Sequence, residues 1–519
     1  MNTNSNTTNR FIEGLKGELD SKTMFTENGA LAYQTAGGEG KCLVDFNFAI
    51  SAMRGWDETK IADAYAKAYY ENPEVALRYW AFCADCRGGL GERRTSRIIF
   101  NWLVKNQLET AKKLVTLIPE YGRWDSLVML VDSPLRDDVV NIIAEQLRSD
   151  LVACRAGKSF SLLAKWIASE NTSSPKTRKL ASTIRKGLDM TPKQYRKMLS
   201  ELRKGLKIVE RSISSGNWSE VDYNAVPSKA NVLYRNAFMK HDTERRNKYL
   251  ELLKSGDKTV KINSSQSFPC DLVHQYEKGG WYDHIAEYDE TIEQMWKSLP
   301  DYVNGRGNNV LVVADTSGSM NCQIGGSKTT AWAVAQSLAI YFSQRASGPF
   351  KDKYIMFSAN PFWVDFSNCA TLHDRLVLSA KYNECSNTDI AKTFDLILDT
   401  AVNNNLSQDE IPSTILIVSD MQFDMSYSYD KVLMEKVKER FERAGYRLPK
   451  IVAWNTVGGY GRTTPVPIQQ NAEGVILMSG FSASLMQMAL SGEVSPYKAL
   501  LEQLNKERYN AVSEAVSKS

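Results

Sequence analysis

The amino-acid sequence predicts two architectures in one chain: an all-helical, HEAT-like α-solenoid, then a doubly wound α/β domain. The first observation is a long run of segments with apolar residues at helical spacing, in which no strand candidate appears before about residue 300. The second is a change of pattern beyond that point, where short buried strand-like runs alternate with helical stretches. The third is length: 519 residues exceed what one hydrophobic core usually serves, so two or three domains are expected.

Taken in order, residues 1–25 are polar and read as an extended or disordered start. They lack the apolar centre of a secretory signal, and no apolar run in the chain approaches membrane-spanning length. The expectation is a cytoplasmic protein without a membrane partner. Residues 26–300 form the helical domain. Glu58 to Tyr70, Pro73 to Cys83, Glu92 to Lys105, Leu108 to Leu117, Trp124 to Val131, Asp137 to Cys154 and Ser159 to Ser169 carry the helical period, with short breaks containing Pro, Gly or Asn. Their lengths suit stacked helix pairs, although no fixed-period repeat is present. Trp281 to Leu299 reads as one more helix, and residues 300–307 as the linker. In residues 301–519 the expected strands are 310–314, 353–357, 362–365, 413–419, 450–454 and 474–478. Helices are expected near 329–346, 390–403, 429–444, 482–491 and 495–507.

Charge is unevenly distributed. The net +4 of the chain conceals a stretch from Lys176 to Arg211 with twelve Lys or Arg against three acids, a net +9 that leaves −5 for the remainder. Thr191-Pro192 opens a helix there with a capping residue and a first-turn Pro, and the pattern runs to about Ile213. At about 100° per residue, Tyr195, Leu202, Leu206, Val209 and Ile213 fall on one side. Lys193, Lys197, Lys204, Lys207 and Arg211 fall on the other. Lys176, Arg178, Lys179, Arg185 and Lys186 add to the excess just upstream. A solvated helix face is the plainer interpretation, but unbalanced like charge repels itself, and a polyanion such as RNA relieves it.

The most informative stretch is Val310-Leu-Val-Val-Ala-Asp315-Thr-Ser317-Gly-Ser319. A strand buried on both faces ends there in one carboxylate and two hydroxyls at alternate positions, at the sheet edge where ligands of α/β folds bind. Thr388, before the helix at Ile390, and Asp420, after the strand ending at Ser419, should reach the same edge. Oxygen-only ligands suit a hard cation, Mg²⁺ or Mn²⁺. The plainer alternative is a polar strand-to-helix turn with Asp315 as a cap. The set Asp315, Ser317, Ser319, Thr388 and Asp420 resembles the metal-ion-dependent adhesion site (MIDAS) of von Willebrand factor A domains, matching its five positions. That resemblance implies a cation with an open position for an acidic group of a protein partner.

The helical part carries Arg87-Gly-Gly-Leu-Gly-Glu-Arg-Arg94, Tyr121-Gly-Arg-Trp-Asp125, Lys165-Trp-Ile-Ala-Ser-Glu-Asn171 and Thr191-Pro-Lys-Gln-Tyr-Arg-Lys-Met198. These resemble stretches of a family of phage and bacterial proteins of undefined function. That family is similar in layout to the TROVE module of the Ro autoantigen, a HEAT-like ring closed by a von Willebrand A domain. The resemblance implies a ribonucleoprotein role: binding of small noncoding or misfolded RNA, with single-stranded ends entering the ring.

Catalytic signatures are missing from the sequence. Gly157-Lys158-Ser159 lacks the upstream glycine and strand of a phosphate-binding loop, residues 305–310 lack a dinucleotide fingerprint, and no Gly-x-Ser-x-Gly elbow occurs. Cys83-Ala-Asp-Cys86 has metal-ligand spacing without a second pair, and two small buried residues one helical turn apart is the simpler reading. The eight scattered cysteines read as reduced thiols. Arg87-Gly-Gly reads as a turn between helices. The expectation is therefore a non-enzymatic RNA-binding protein. The alternative is an adaptor or virion assembly component that grips an acidic partner through the metal site; a metal-dependent hydrolase, with Asp389 as its base, is a third and weaker reading.

Overall fold

A computed structural model describes residues 23–206, 208–278, 281–325, 327–426, 431–456, 464–469, 474–490 and 495–517. It divides into two compact units. One comprises the chain up to Ala76 together with Ser264–Asn505; the other comprises Leu77–Asn263 and Lys506–Ser519. The expected single boundary near residue 300 is therefore corrected: the chain passes between units three times, and none of the crossings falls there. Periodicity reports that a helix has an apolar face, and it carries no information about which core that face joins.

The α/β unit is built on a six-stranded sheet. In chain order the strands of this unit are β1 (Thr23–Phe25), β2 (Leu31–Tyr33), β3 (Glu277–Lys278), β4 (Trp281–Ile285), β5 (Val310–Asp315), β6 (Lys353–Phe357), β7 (Pro361–Asp365), β8 (Thr414–Ser419), β9 (Lys450–Asn455) and β10 (Val475–Ser479). The main sheet has the order β10-β9-β8-β5-β6-β7, parallel except for the antiparallel edge strand β7. All six residues of β5 are buried, as a strand covered on both faces must be. The Ala331–Arg345 helix packs against β5, β6 and β8. Its residues 331–343 are buried all round, because the Pro269–Val273 helix covers its outer side.

Two short stretches depart from expectation. Thr23–Phe25, placed in the disordered start, pairs with β2; the residues before it lie outside the described set. Trp281 to Leu299 is not one helix: β4 comes first, and the helix is confined to Glu290–Lys297, where Asp289 accepts from the backbone N–H groups of Thr291 and Ile292. A further helix, Leu372–Ala380, was not anticipated.

The N-terminal segment belongs to this unit because it seals the end of the sheet. The Lys41–Phe48 helix packs on β10 and on the Pro496–Leu504 helix. Asn455 donates to the Phe48 carbonyl (2.9 Å), and the Ser479 hydroxyl donates to that of Ser51 (2.6 Å), all four residues being buried. Gly40 has φ 63°, and a Cβ there would lie 2.2 Å from the Tyr497 ring, so only glycine fits.

The other unit is helical wherever it is regular. Its C-terminal end returns to it: the Arg508 guanidinium ion-pairs with the buried Asp85 carboxylate, which also accepts from the Tyr509 hydroxyl (3.1 Å). Arg87-Gly-Gly is a joint between helices. The Leu90 and Glu92 N–H groups bond the Phe82 and Cys83 carbonyls (3.0 and 2.8 Å), so tightly that a Cβ on Gly89 would sit 2.1 Å from the Phe82 oxygen. Cys83 is buried, but Cys86 lies beyond the Pro73–Ala84 helix and is exposed, which corrects the expectation of a buried pair. Ser159 to Ser169 also falls short of a helix, being helical only over Leu163–Trp166.

Candidate metal centre and candidate nucleic-acid interface

In the α/β unit the strand order reverses between β5 and β8. β5 leads to β6 on one side, and its other neighbour, β8, begins a run outward to β10. A crevice at the carboxyl ends of two such strands is where ligands of open α/β sheets settle. Asp315 ends β5 and Asp420 follows β8, and both are buried.

The Asp315 carboxylate accepts from the Ser317 N–H (2.8 Å) and from the Ser419 hydroxyl (2.5 Å). Ser317 begins a 3-10 turn over Gly318–Asn321 that brings its hydroxyl 3.1 Å from that of Ser319. The Gly318 N–H donates to the Ser386 carbonyl (3.0 Å), which ties this loop to the one carrying Thr388. Thr388 is buried and held by mutual bonds with Asp424: its N–H donates to the Asp424 carboxylate (3.0 Å), and its carbonyl accepts from the Asp424 N–H (2.9 Å). Asp420 accepts from the Gln422 N–H (3.1 Å). The three loops that carry Asp315, Ser317, Ser319, Thr388 and Asp420 thus meet at one edge. Thr388 joins through its loop backbone rather than by a side-chain bond to the other four.

Electrostatics there favour a cation. Burial, and then the neighbouring Asp420 carboxylate, push Asp315 up to about 7 against the opposing hydrogen bonds from Ser419 and Ser317. Two carboxylates that resist simultaneous ionisation are relieved by a divalent ion. The hydroxyl spacing agrees: adjacent ligands of an octahedral Mg²⁺ with bonds of about 2.1 Å stand about 3.0 Å apart, against 3.1 Å for Ser317 and Ser319. The residues present therefore fit the group. Among the described residues no group of three or more His, Cys, Asp or Glu is placed to hold a metal ion, so a site here draws on hydroxyls as well as carboxylates.

Residues that the sequence did not single out complete this edge. Ser419 holds Asp315. Asn28, in the turn between β1 and β2, donates its amide to the Thr388 hydroxyl (3.1 Å) and to the Gln422 carbonyl (2.6 Å). Nothing in the sequence points to Asn28, because 360 positions separate it from Thr388. Asp389 caps the Ile390–Asn403 helix through the Lys392 N–H (3.3 Å).

In the helical unit, the expected continuous helix to Ile213 is corrected to two. Pro192–Gly205 ends where a Cβ on Gly205 would meet the Cys154 sulfur at 2.5 Å, and Val209–Ser214 follows after an extended Ile208. Tyr195, Met198, Leu199 and Leu202 are buried, while Lys193, Lys197 and Lys204 are exposed, as is Arg211 on the second helix. Lys207 lies outside the described residues. Lys176, Lys179 and Lys186 are exposed on the Pro175–Gly187 helix. Two expected members are committed internally: Arg185 pairs with Glu170 (2.7 Å), and Arg178 donates to the Thr172 and Ser173 carbonyls (2.8 and 3.1 Å). Two of the three acids of the stretch are similarly occupied, Glu201 by Arg155 (2.7 Å) and Glu210 by Lys165 (2.9 Å), and the third, Asp189, is exposed.

The signature stretches build the scaffold under this face. Arg203 bonds the Ala164 and Ile167 carbonyls (2.8 and 3.0 Å) and the Ser169 hydroxyl (2.7 Å), and the Tyr195 hydroxyl donates to the Ala168 carbonyl (2.8 Å). Side chains thereby satisfy a segment that forms only one helical turn. Arg123 stacks on Trp166 at 3.6 Å, and Asp125 pairs with both Arg97 and Arg123 (2.9 and 3.0 Å).

Comparison with known proteins places the chain. Residues 133–308 match a domain of unknown function, DUF2828, and residues 309–518 match another, DUF7788. The uncharacterized protein L728 of Acanthamoeba polyphaga mimivirus is 30% identical over 520 residues, covering 92% of this chain and 87% of the viral protein. The chain belongs to the family of L728. Among solved structures, the Ro (RSR) protein of Deinococcus radiodurans aligns over 86% of this chain and 91% of its own, at 13% identity and a TM-score of 0.36. A likeness that loose decides nothing about ligand or mechanism. Among the described residues no helix is long and apolar enough to cross a membrane.

Proposed function

We propose that the protein is a non-enzymatic RNA-binding protein, comparable in layout to the TROVE and von Willebrand A arrangement. Its helical unit holds RNA, and its α/β unit holds Mg²⁺ or Mn²⁺ at a MIDAS-like edge. The observation that carries the reading is the excess of exposed lysines on two consecutive helices, Lys176, Lys179 and Lys186 on the first and Lys193, Lys197 and Lys204 on the second. Of the three acids in the stretch, Glu201 and Glu210 are already paired with Arg155 and Lys165, which leaves Asp189 against six lysines. Such a face gains most from a polyanion whose counterions are released on binding.

The cation would be held by Asp315, Ser317, Ser319, Thr388 and Asp420, supplying positive charge at the edge for an acidic group. Asp389, the candidate base beside Thr388, is engaged as a helix cap, and the reading assigns no reaction to the site. The buried Asp315–Asp420 pair also supports a second reading, an adaptor that grips an acidic protein through the bound cation.

The deciding experiment is a filter-binding titration with single-stranded RNA at several salt concentrations. Changing Lys179, Lys193 and Lys197 to Glu removes three phosphate contacts and flattens the log–log salt slope by about 2, at roughly 0.7 per phosphate. The fold should persist, because these side chains are exposed. Equal affinity and slope in wild type and variant would reject the RNA reading and leave the adaptor.

A further inference from the structure

Beside the basic face lies a cleft of about 470 Å³, walled by the 169–171 loop, the Pro192–Gly205 helix and Arg211 of the Val209–Ser214 helix. Arg196, Ser200 and Lys204 follow one another at four-residue intervals along the first helix, about 6 Å apart, and so line one wall. The break between the helices turns Arg211 into the same space. Among the described residues none of these three cations has an acidic partner, and all three are exposed. The acid that lines the cleft, Glu170, is neutralised by Arg185. Arg203, also in the wall, spends its donors on the 164 and 167 carbonyls and on Ser169, and so acts as a fixed support.

We propose that this cleft is a phosphate-binding site that takes one nucleotide unit of a single-stranded RNA, an inference that rests on the RNA reading and locates one of its contacts. Three cations exceed what a single carboxylate needs, whereas phosphate oxygens spread over several donors, and two of the three cations are guanidiniums suited to bidentate phosphate contacts. The volume falls in the roughly 300–1,000 Å³ range of sites that hold a small organic ligand, more than a bare phosphate requires. Ser169, Ser200 and Asn171 also line the cleft and carry hydroxyl and amide groups suited to sugar and phosphate oxygens. Tyr195, the aromatic in the lining, is buried with its hydroxyl on the Ala168 carbonyl, so it offers no stacking face. The cleft should therefore hold nucleotides with little regard to base.

The test uses the full-length protein, with UMP, AMP and inorganic phosphate as probes in calorimetry and a labelled single-stranded RNA in anisotropy. Two triple variants are compared, Arg196→Ala/Lys204→Ala/Arg211→Ala in the cleft and Lys176→Ala/Lys179→Ala/Lys186→Ala outside it. UMP and AMP should bind with affinities within about threefold of each other and more tightly than phosphate. The cleft variant should lose mononucleotide binding at least tenfold, and the outer variant should keep it while losing RNA affinity. Mononucleotide binding that survives in the cleft variant overturns the proposal. So does RNA binding without any mononucleotide binding, an outcome that leaves the RNA reading standing. If RNA does not bind but UMP binds saturably and is lost in the cleft variant, the RNA reading fails and the nucleotide site remains; if neither binds, both fail.

Discussion

At Asp315 and Asp420, two carboxylates are buried side by side with hydroxyls around them, which is costly unless a cation is shared between them. Saturating Mg²⁺ or Mn²⁺ should therefore raise the melting temperature, by the equivalent of about 2.7 kcal/mol at a hundredfold excess over the dissociation constant. Asp315→Ala should abolish that rise; an unchanged rise in thermal-shift titrations would remove Asp315 from the site. Asp45 offers a separate pH probe. It accepts from the Thr35 hydroxyl and the Ala36 N–H (2.6 Å each), yet burial dominates and raises it to about 6. Its folded-state value lies above the ordinary carboxylate value of about 4, so the folded state binds the extra proton between those limits. Stability from this group is full below about pH 4 and is lost as pH rises to about 6. Asp45→Asn, which keeps the Ala36 bond, should flatten that part of the stability-versus-pH curve by at most about 3 kcal/mol. Urea titrations at pH 4, 5, 6 and 8 would show it, and an unaltered curve would mean that Asp45 ionises normally.

The Pro192–Gly205 helix shows what an element's own sequence does and does not specify. Its start was readable from Thr191-Pro192, and the structure adds the reciprocal cap with Gln194. Its end was not, because Gly205 is required by the approach of Cys154, a contact 51 positions away in the chain. The same helix organises the 164–169 segment through Arg203. Arg203→Ala leaves two carbonyls and a hydroxyl without that partner and should destabilise the helical unit by about 3 kcal/mol. Lys204→Ala, one residue on and exposed, should change stability by less than about 0.5 kcal/mol. Denaturant melts that rank the two equally would refute the supporting role given to Arg203.

For the whole molecule, the three chain crossings make residue 300 a poor place to divide the protein. A fragment spanning 301–519 loses the Lys41–Phe48 helix from β10 and the Pro269–Val273 helix from the outer side of Ala331–Arg345. A fragment ending at 300 loses Arg508 and Tyr509 from Asp85. Both fragments should be insoluble or unfold without cooperativity, whereas full-length protein melts cooperatively. A 301–519 fragment with a sharp transition would show that the α/β core is complete without the N-terminal segment.

Strand cores such as Val310–Asp315, and the positions of Asp315 and Asp420 at strand ends and of Thr388 before a helix, could be read directly from the chain. Continuous β-branched and aliphatic runs ending in polar residues have few folded solutions, and the carboxyl ends of parallel strands share one edge. The uneven charge from Lys176 to Arg211 was equally plain, since composition is a local property. Which cations stay available was not: Arg185, Arg178 and Arg203 are engaged by the groups that pack beside them, whereas Lys193 and Lys204 are exposed. Asn28 at the cation edge, the sealing of β10 by residues 41–51 and the return of Arg508 to Asp85 all join positions hundreds of residues apart. Such pairings depend on side-chain complementarity in three dimensions, and linear periodicity holds no record of it.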